Sequence, residues 1–90
     1  MHEMGIAASV LEAVQKELLR YPGRRAAKVG LRIGQLAGVD GESVRFCFDV
    51  MVNGSAFAPL ELAIEPGLSD ELDFAYLELD DCNVAEGIAV

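Results

Sequence analysis

The sequence predicts a two-layer α/β (α+β) domain, in which two helices pack on one face of a three-stranded, mainly antiparallel sheet. Three observations support this fold class. A chain of 90 residues has the length of one domain. An apolar fraction of 52% supplies a core. The spacing of apolar residues switches between helix and strand periods in the order helix, strand, helix, strand, strand.

The first half of the chain contains one predicted helix and one predicted strand. Apolar residues recur at three- and four-residue steps from Met4 to about Leu19, which is typical of a helix with one buried face. A proline–glycine pair at 22–23 ends this helix. Residues 27–33 then alternate between apolar and other residues, which indicates a half-buried strand with an inward row of Ala27, Val29, Leu31 and Ile33.

The second half contains the other helix and two strands. Asp40 is well placed as the N-cap of the second helix, whose apolar stripe comprises Val44, Cys47, Phe48 and Met51. A second strand follows Pro59 and a third covers about 71–79. In the third strand Leu72 and Phe74 fall on one side of a regular strand, and Leu77 and Leu79 fall on the other. A β-bulge near Ala75-Tyr76 would place all four on the core side.

The short connection at residues 66–70 has the length of a hairpin loop, so we expect the second and third strands to pair antiparallel. The order of elements is also compatible with a split arrangement, in which the first and second strands are not neighbours. Residues 1–80 are expected to form the domain, and residues 81–90 a flexible acidic tail.

Charge is distributed unevenly in this chain of net charge −8. Residues 61–90 hold nine acidic residues and no basic one, whereas nucleic-acid binding requires a positive surface, so we expect no nucleic-acid partner. No apolar run has membrane-spanning length and the start has no signal-peptide pattern, so we expect a cytoplasmic protein without a membrane partner. Oligomeric state is not encoded in any pattern, and a monomer or weak dimer is expected.

The amino terminus is a candidate metal ligand set. An α-amine, the deprotonated amide of His2 and its imidazole can form fused chelate rings around Ni(II) or Cu(II), which favour planar nitrogen coordination. Glu3 or another nearby carboxylate can complete the coordination. Any chain that begins Met-His carries these groups, so the alternative is an ordinary solvent-exposed histidine.

Three parts of the chain carry a specific pattern of residues. The first is the start Met1-His2-Glu3-Met4, followed by Ile6-Ala7 and an amphipathic helix. The second is the segment 29–40, which continues into Val44-Arg45-Phe46 and Phe48. The third comprises segments 60–65 and 70–74. Over about residues 1–79 these parts resemble the HypA family and its relative HybF, and the third is similar to the strands that flank the family's zinc ribbon.

The resemblance implies a nickel metallochaperone rather than an enzyme. It implies Ni(II) ligation by Met1 through its amine and by His2, with Glu3 and Asp40 as supporting residues, although Asp40 also has a competing role as helix N-cap. It further implies delivery to the large subunit of [NiFe] hydrogenase, and in some members to urease, together with a HypB-like GTPase. The alternative is a HypA-like interaction module that binds such a partner without handling metal.

The chain departs from the family at the zinc module. Between Ile64 and Asp70, where the family carries two C-x-x-C pairs, only five residues are present. The two cysteines, Cys47 and Cys82, are isolated, and a four-coordinate zinc site needs more ligands than these and one histidine supply. We therefore expect no zinc ribbon and no structural zinc. Catalysis is not expected, since no serine has a histidine base apart from His2 at the chain end.

Overall fold

The computed structural model describes residues 3–80 as two helices and three strands. The elements are α1 (Glu3–Leu18), β1 (Arg25–Gly34), α2 (Gly41–Val52), β2 (Glu61–Gly67) and β3 (Leu72–Asp80). The predicted fold class is confirmed, and each predicted element is present with its ends shifted by at most two residues. Residues 81–90, where a flexible acidic tail with Cys82 was expected, lie outside the described residues.

One apolar cluster joins the helices to the sheet. Helix α1 buries Ile6, Ala7, Val10 and Val14, and helix α2 buries Val44, Phe48 and Val52. The inward residues of the strands complete the cluster, among them Val29, Leu31 and Leu62. Within residues 3–80 no polar or charged side chain is buried. The helical and strand periodicities therefore meet in a single core, which fixes how the two layers pack.

The sheet is mixed, with the strand order β2-β1-β3. Strands β1 and β2 pair in parallel, with Val29 opposite Leu62, and β1 and β3 pair antiparallel, with Val29 opposite Leu77. The predicted antiparallel pairing of the second and third strands is wrong, because β1 lies between them. The split arrangement is also wrong, because the first and second strands are neighbours.

The connection between β2 and β3 passes over the end of β1 instead of forming a hairpin. Gly34 donates its N–H to the Glu71 carbonyl (2.8 Å), and Leu36 donates to the Ser69 carbonyl (2.7 Å). A Cβ at Gly34 would lie 2.7 Å from the carbonyl oxygen of Leu68. Because Gly34 has no side chain, the connection can cross close to the end of β1. Two of the connection's carbonyl groups accept backbone N–H groups from Gly34 and Leu36.

A β-bulge is present in the last strand where the sequence predicts one, but it does not bring all the large apolar residues of the strand into the core as expected. Gly30 pairs with Tyr76 and Leu31 pairs with Phe74, so Ala75 is the extra residue of β3. Leu72 and Leu77, on either side of the bulge, pack against the core. Phe74 lies at the edge of the sheet and keeps 37% of its surface exposed.

Candidate metal site

The structure brings together the two site residues that it describes. Glu3 begins α1 and Asp40 precedes α2, 37 positions later. The backbone N–H of Asp40 donates to Glu3 Oε2, with the two atoms 3.5 Å apart. The amino-terminal ends of both helices therefore lie side by side, at the end of the sheet where β1 finishes.

Asp40 is the N-cap of α2, as the sequence predicts. Its backbone is extended, and its Oδ1 accepts the N–H of Glu42 at 3.1 Å. Its Oδ2 accepts the hydroxyl of Ser43 at 3.0 Å. An ionised carboxylate offers about four lone-pair positions, so two of them remain for another interaction. The capping role and a supporting role toward a cation are thus compatible in this geometry.

Ser43 is a contributor that the sequence analysis did not identify. It stands three residues after Asp40, at the position where a capping box normally carries Glu or Gln. Its hydroxyl holds the second oxygen of Asp40. The signal was therefore present in the spacing, but serine is not the residue that the pattern leads one to look for.

Met1 and His2, the other two predicted ligands, lie outside the described residues. Both directly precede Glu3 in the sequence. Within residues 3–80, no group of three or more His, Cys, Asp or Glu residues is placed to hold a metal ion.

The charges at this end of the molecule have opposing effects on a bound cation. The positive poles of α1 and α2 both lie here, and they disfavour a cation. The carboxylates of Glu3 and Asp40 counter those poles. Glu42, in the first turn of α2, is largely exposed and pairs with Arg45 at 3.8 Å. The site is therefore open and only modestly negative.

Two exposed leucines flank the same end. Leu36 follows β1 and is 75% exposed, and Leu68 follows β2 and is 81% exposed. Their backbones are held close by the hydrogen bond from Leu36 to Ser69.

Neither helix of the described residues has the length and apolar character to span a bilayer.

Comparison with known proteins places the chain in a family. Residues 1–68 match the family model described as hydrogenase/urease nickel incorporation, metallochaperone, hypA. Hydrogenase maturation factor HypA of Chlorobaculum tepidum is 43% identical over 65 residues, which cover 72% of this chain and 58% of that protein. HypA of Pelodictyon phaeoclathratiforme is 35% identical over 92 residues, covering 91% and 79% respectively.

A solved structure shares the fold. The solution structure of the Ni metallochaperone HypA from Helicobacter pylori superposes with a TM-score of 0.66 at 18% identity, covering 74% of this chain and 58% of that one. The chain spans 58% and 56% of the length of the relatives from Chlorobaculum tepidum and Chlorobium limicola. The family-model match and the identity to these relatives show that the chain belongs to the HypA family.

Proposed function

We propose that this protein is a nickel carrier that binds one Ni(II) at its amino terminus and delivers it for hydrogenase maturation. The ligands are the Met1 amine, the amide nitrogen of His2 and its imidazole, with a carboxylate of Glu3 or Asp40, or water, in the fourth position. Three nitrogen donors in fused chelate rings suit planar Ni(II) coordination. Family membership supports nickel as the cargo.

The contact between Glu3 and Asp40 carries the proposal. It brings Glu3, which directly follows Met1 and His2 in the sequence, into contact with the backbone of Asp40. Glu3 and Asp40 come from distant parts of the chain, and their contact supports a joint role for them in the proposed site.

An open site of this kind suits the transfer of Ni(II) to a partner protein. The helix poles weaken cation binding, and the exposed carboxylates leave room for an incoming ligand from a partner. A carrier has to release its cargo, so moderate affinity and an accessible coordination position serve the function better than a closed cage. The protein needs no catalytic residues for this role, which proceeds by ligand exchange in the cytoplasm.

The partners proposed are a HypB-like GTPase and the large subunit of a [NiFe] hydrogenase, or of urease in some organisms. The exposed leucines Leu36 and Leu68 follow the ends of the parallel strands β1 and β2 and provide apolar surface at that end of the sheet. Docking there would keep the path of the ion short. The same leucines favour the alternative function, an interaction module that binds a partner without handling metal.

Zinc is not part of the proposed function. Strands β2 and β3 are joined by residues 68–71, at the place where the family resemblance puts the zinc ribbon. Cys47 is the single cysteine of the described residues, and it is a half-buried thiol on α2. One cysteine on a helix does not provide a four-coordinate zinc site.

Native mass spectrometry with and without Ni(II) separates the carrier from the interaction module. The protein with a native, untagged amino terminus should gain the mass of one nickel ion, and His2→Ala should not. A parent protein that gains no nickel while it still binds the GTPase would establish the interaction module instead.

A further inference from the structure

A broad groove lies at the end of the molecule opposite the candidate metal site. Its volume is about 780 Å³, and it runs between the carboxyl-terminal half of α2 and the start of β2. We call it the α2–β2 groove; the lining residues used below are Phe46, Asp49, Val50, Leu60, Glu61 and Asp80. Since α2 has 12 residues at about 1.5 Å each, its two ends are roughly 18 Å apart.

Helix α2 is apolar on two sides, which accounts for the floor of the groove. Val44, Phe48 and Val52 face the core, as a four-residue spacing requires. Phe46 and Val50 lie on the other side of the helix and are 69% and 55% exposed. A helix that needs only one buried face does not require a second apolar row, and an exposed apolar patch of this kind marks an interaction site.

The charge around the groove indicates which kind of partner can bind there. Asp49 and Glu61 contribute carboxylates to its lining, and no lining residue among those described is basic. Arg24 and Arg25 lie at its margin, where their side chains donate to the backbone carbonyls of Asp80 and Ala58. An anionic lipid surface or a nucleic acid would meet repulsion here, and two copies placed groove to groove would oppose the same carboxylates. A polypeptide with apolar side chains and neighbouring lysine or arginine residues satisfies both the floor and the rim.

We infer that the α2–β2 groove docks a segment of another protein in which apolar side chains are flanked by lysine or arginine. The inference goes beyond the proposed nickel function and does not depend on it. A partner held at this end leaves the Glu3–Asp40 end uncovered. The groove is therefore a surface separate from the Glu3–Asp40 end.

The test uses NMR titration of the full chain with two synthetic peptides of equal length, one alternating leucine and lysine and the other leucine and glutamate. The leucine–lysine peptide should shift backbone amide signals clustered at Phe46, Val50 and Glu61, and its affinity should fall with added salt. Phe46→Ser should weaken binding at least about tenfold. The leucine–glutamate peptide should not bind.

Two matched controls separate the groove from general attraction to an acidic protein. Leu19→Ser removes a leucine that is 82% exposed and lies outside the groove, and it should leave affinity unchanged. The pair Asp49→Asn with Glu61→Gln should weaken binding, whereas Asp70→Asn with Asp73→Asn, of equal charge change, should not.

Three results would overturn the inference. The first is equal weakening by both pairs of neutralising substitutions, which would mean that only net charge matters. The second is a set of shifted amides lying elsewhere on the surface. The third is a shift of the groove amides with protein concentration alone, which would make a second copy the occupant.

Discussion

The carboxylate of Glu3 and the backbone nitrogen of Asp40 lie 3.5 Å apart and join the start of α1 to the start of α2. This contact ties Glu3 to a residue whose own side chain caps a helix. A change at Asp40 acts on the helix and on the site, and the two effects can be separated by the choice of substitution.

Substitutions at Asp40 should distinguish its cap from its charge. Asp40→Ala removes both hydrogen bonds of the cap and should lower the free energy of unfolding by ~1 kcal/mol. Asp40→Asn keeps a capping oxygen and should cost only a few tenths of that. Nickel affinity should change little in either variant, because the three nitrogen donors remain. Urea denaturation combined with a nickel titration measures both quantities, and equal destabilisation by Asn and Ala would refute the capping role.

Truncation of two phenylalanines on the same helix should change the free energy of unfolding by very different amounts. Phe48 is fully buried, so Phe48→Ala should lower the free energy of unfolding by about 3–5 kcal/mol, enough to unfold a small domain. Phe46 is 69% exposed, so Phe46→Ala should change it by less than about 0.5 kcal/mol. Thermal unfolding followed by circular dichroism compares the two. A large loss from Phe46→Ala would mean that the groove side of α2 is part of the core.

Gly34 should be intolerant of a side chain. In Gly34→Ala the new Cβ would press on the carbonyl oxygens of Leu68 and Ser69, which belong to backbone that cannot move without breaking two hydrogen bonds. A loss of about 1–3 kcal/mol in the free energy of unfolding is expected. Gly5→Ala is the control, since nothing lies within 4 Å of its Cβ and helix α1 should gain about 0.5–1 kcal/mol. An unchanged Gly34→Ala would show that the connection does not cross β1 as described.

The strand order could not be predicted from the sequence, and the reason is physical. The inward rows of the three strands bury the same residues whether β3 pairs with β2 or with β1, so periodicity does not discriminate between them. The short connection favoured a hairpin, and what decides against it is the close crossing permitted by Gly34 and the hydrogen bonds from Gly34 and Leu36. Those interactions join residues more than 30 positions apart and leave no periodic signal.

Local signals, by contrast, gave correct predictions. The change of parity between Phe74 and Leu77 required an extra residue in the strand, and Ala75 is that residue. Asp40 was predicted as an N-cap from its residue type and position, and it is one. The proximity of Glu3 to Asp40 came only from the family resemblance, because nothing in the composition of either segment indicates that the two meet.

Purified protein should carry no stoichiometric zinc and should fold in the presence of a chelator. The reason is the number of ligands: Cys47 and Cys82 are far apart in sequence, and His2 is the one histidine. Elemental analysis and a far-ultraviolet circular dichroism spectrum recorded with EDTA provide the test. One tightly held zinc per chain, or unfolding by EDTA, would contradict the prediction; a dimer that pools Cys82 from two copies is the route to that result.

The most direct test of nickel binding at the amino terminus is a competitive Ni(II) titration that compares the chain beginning at Met1 with the same chain acetylated at its α-amine. The acetyl group changes no side chain and removes only the α-amine as a nitrogen donor. We predict one Ni(II) per chain for the free amine and a sharp loss of affinity for the acetylated protein. Equal affinity in the two proteins would place the nickel site elsewhere and contradict the proposed ligand set.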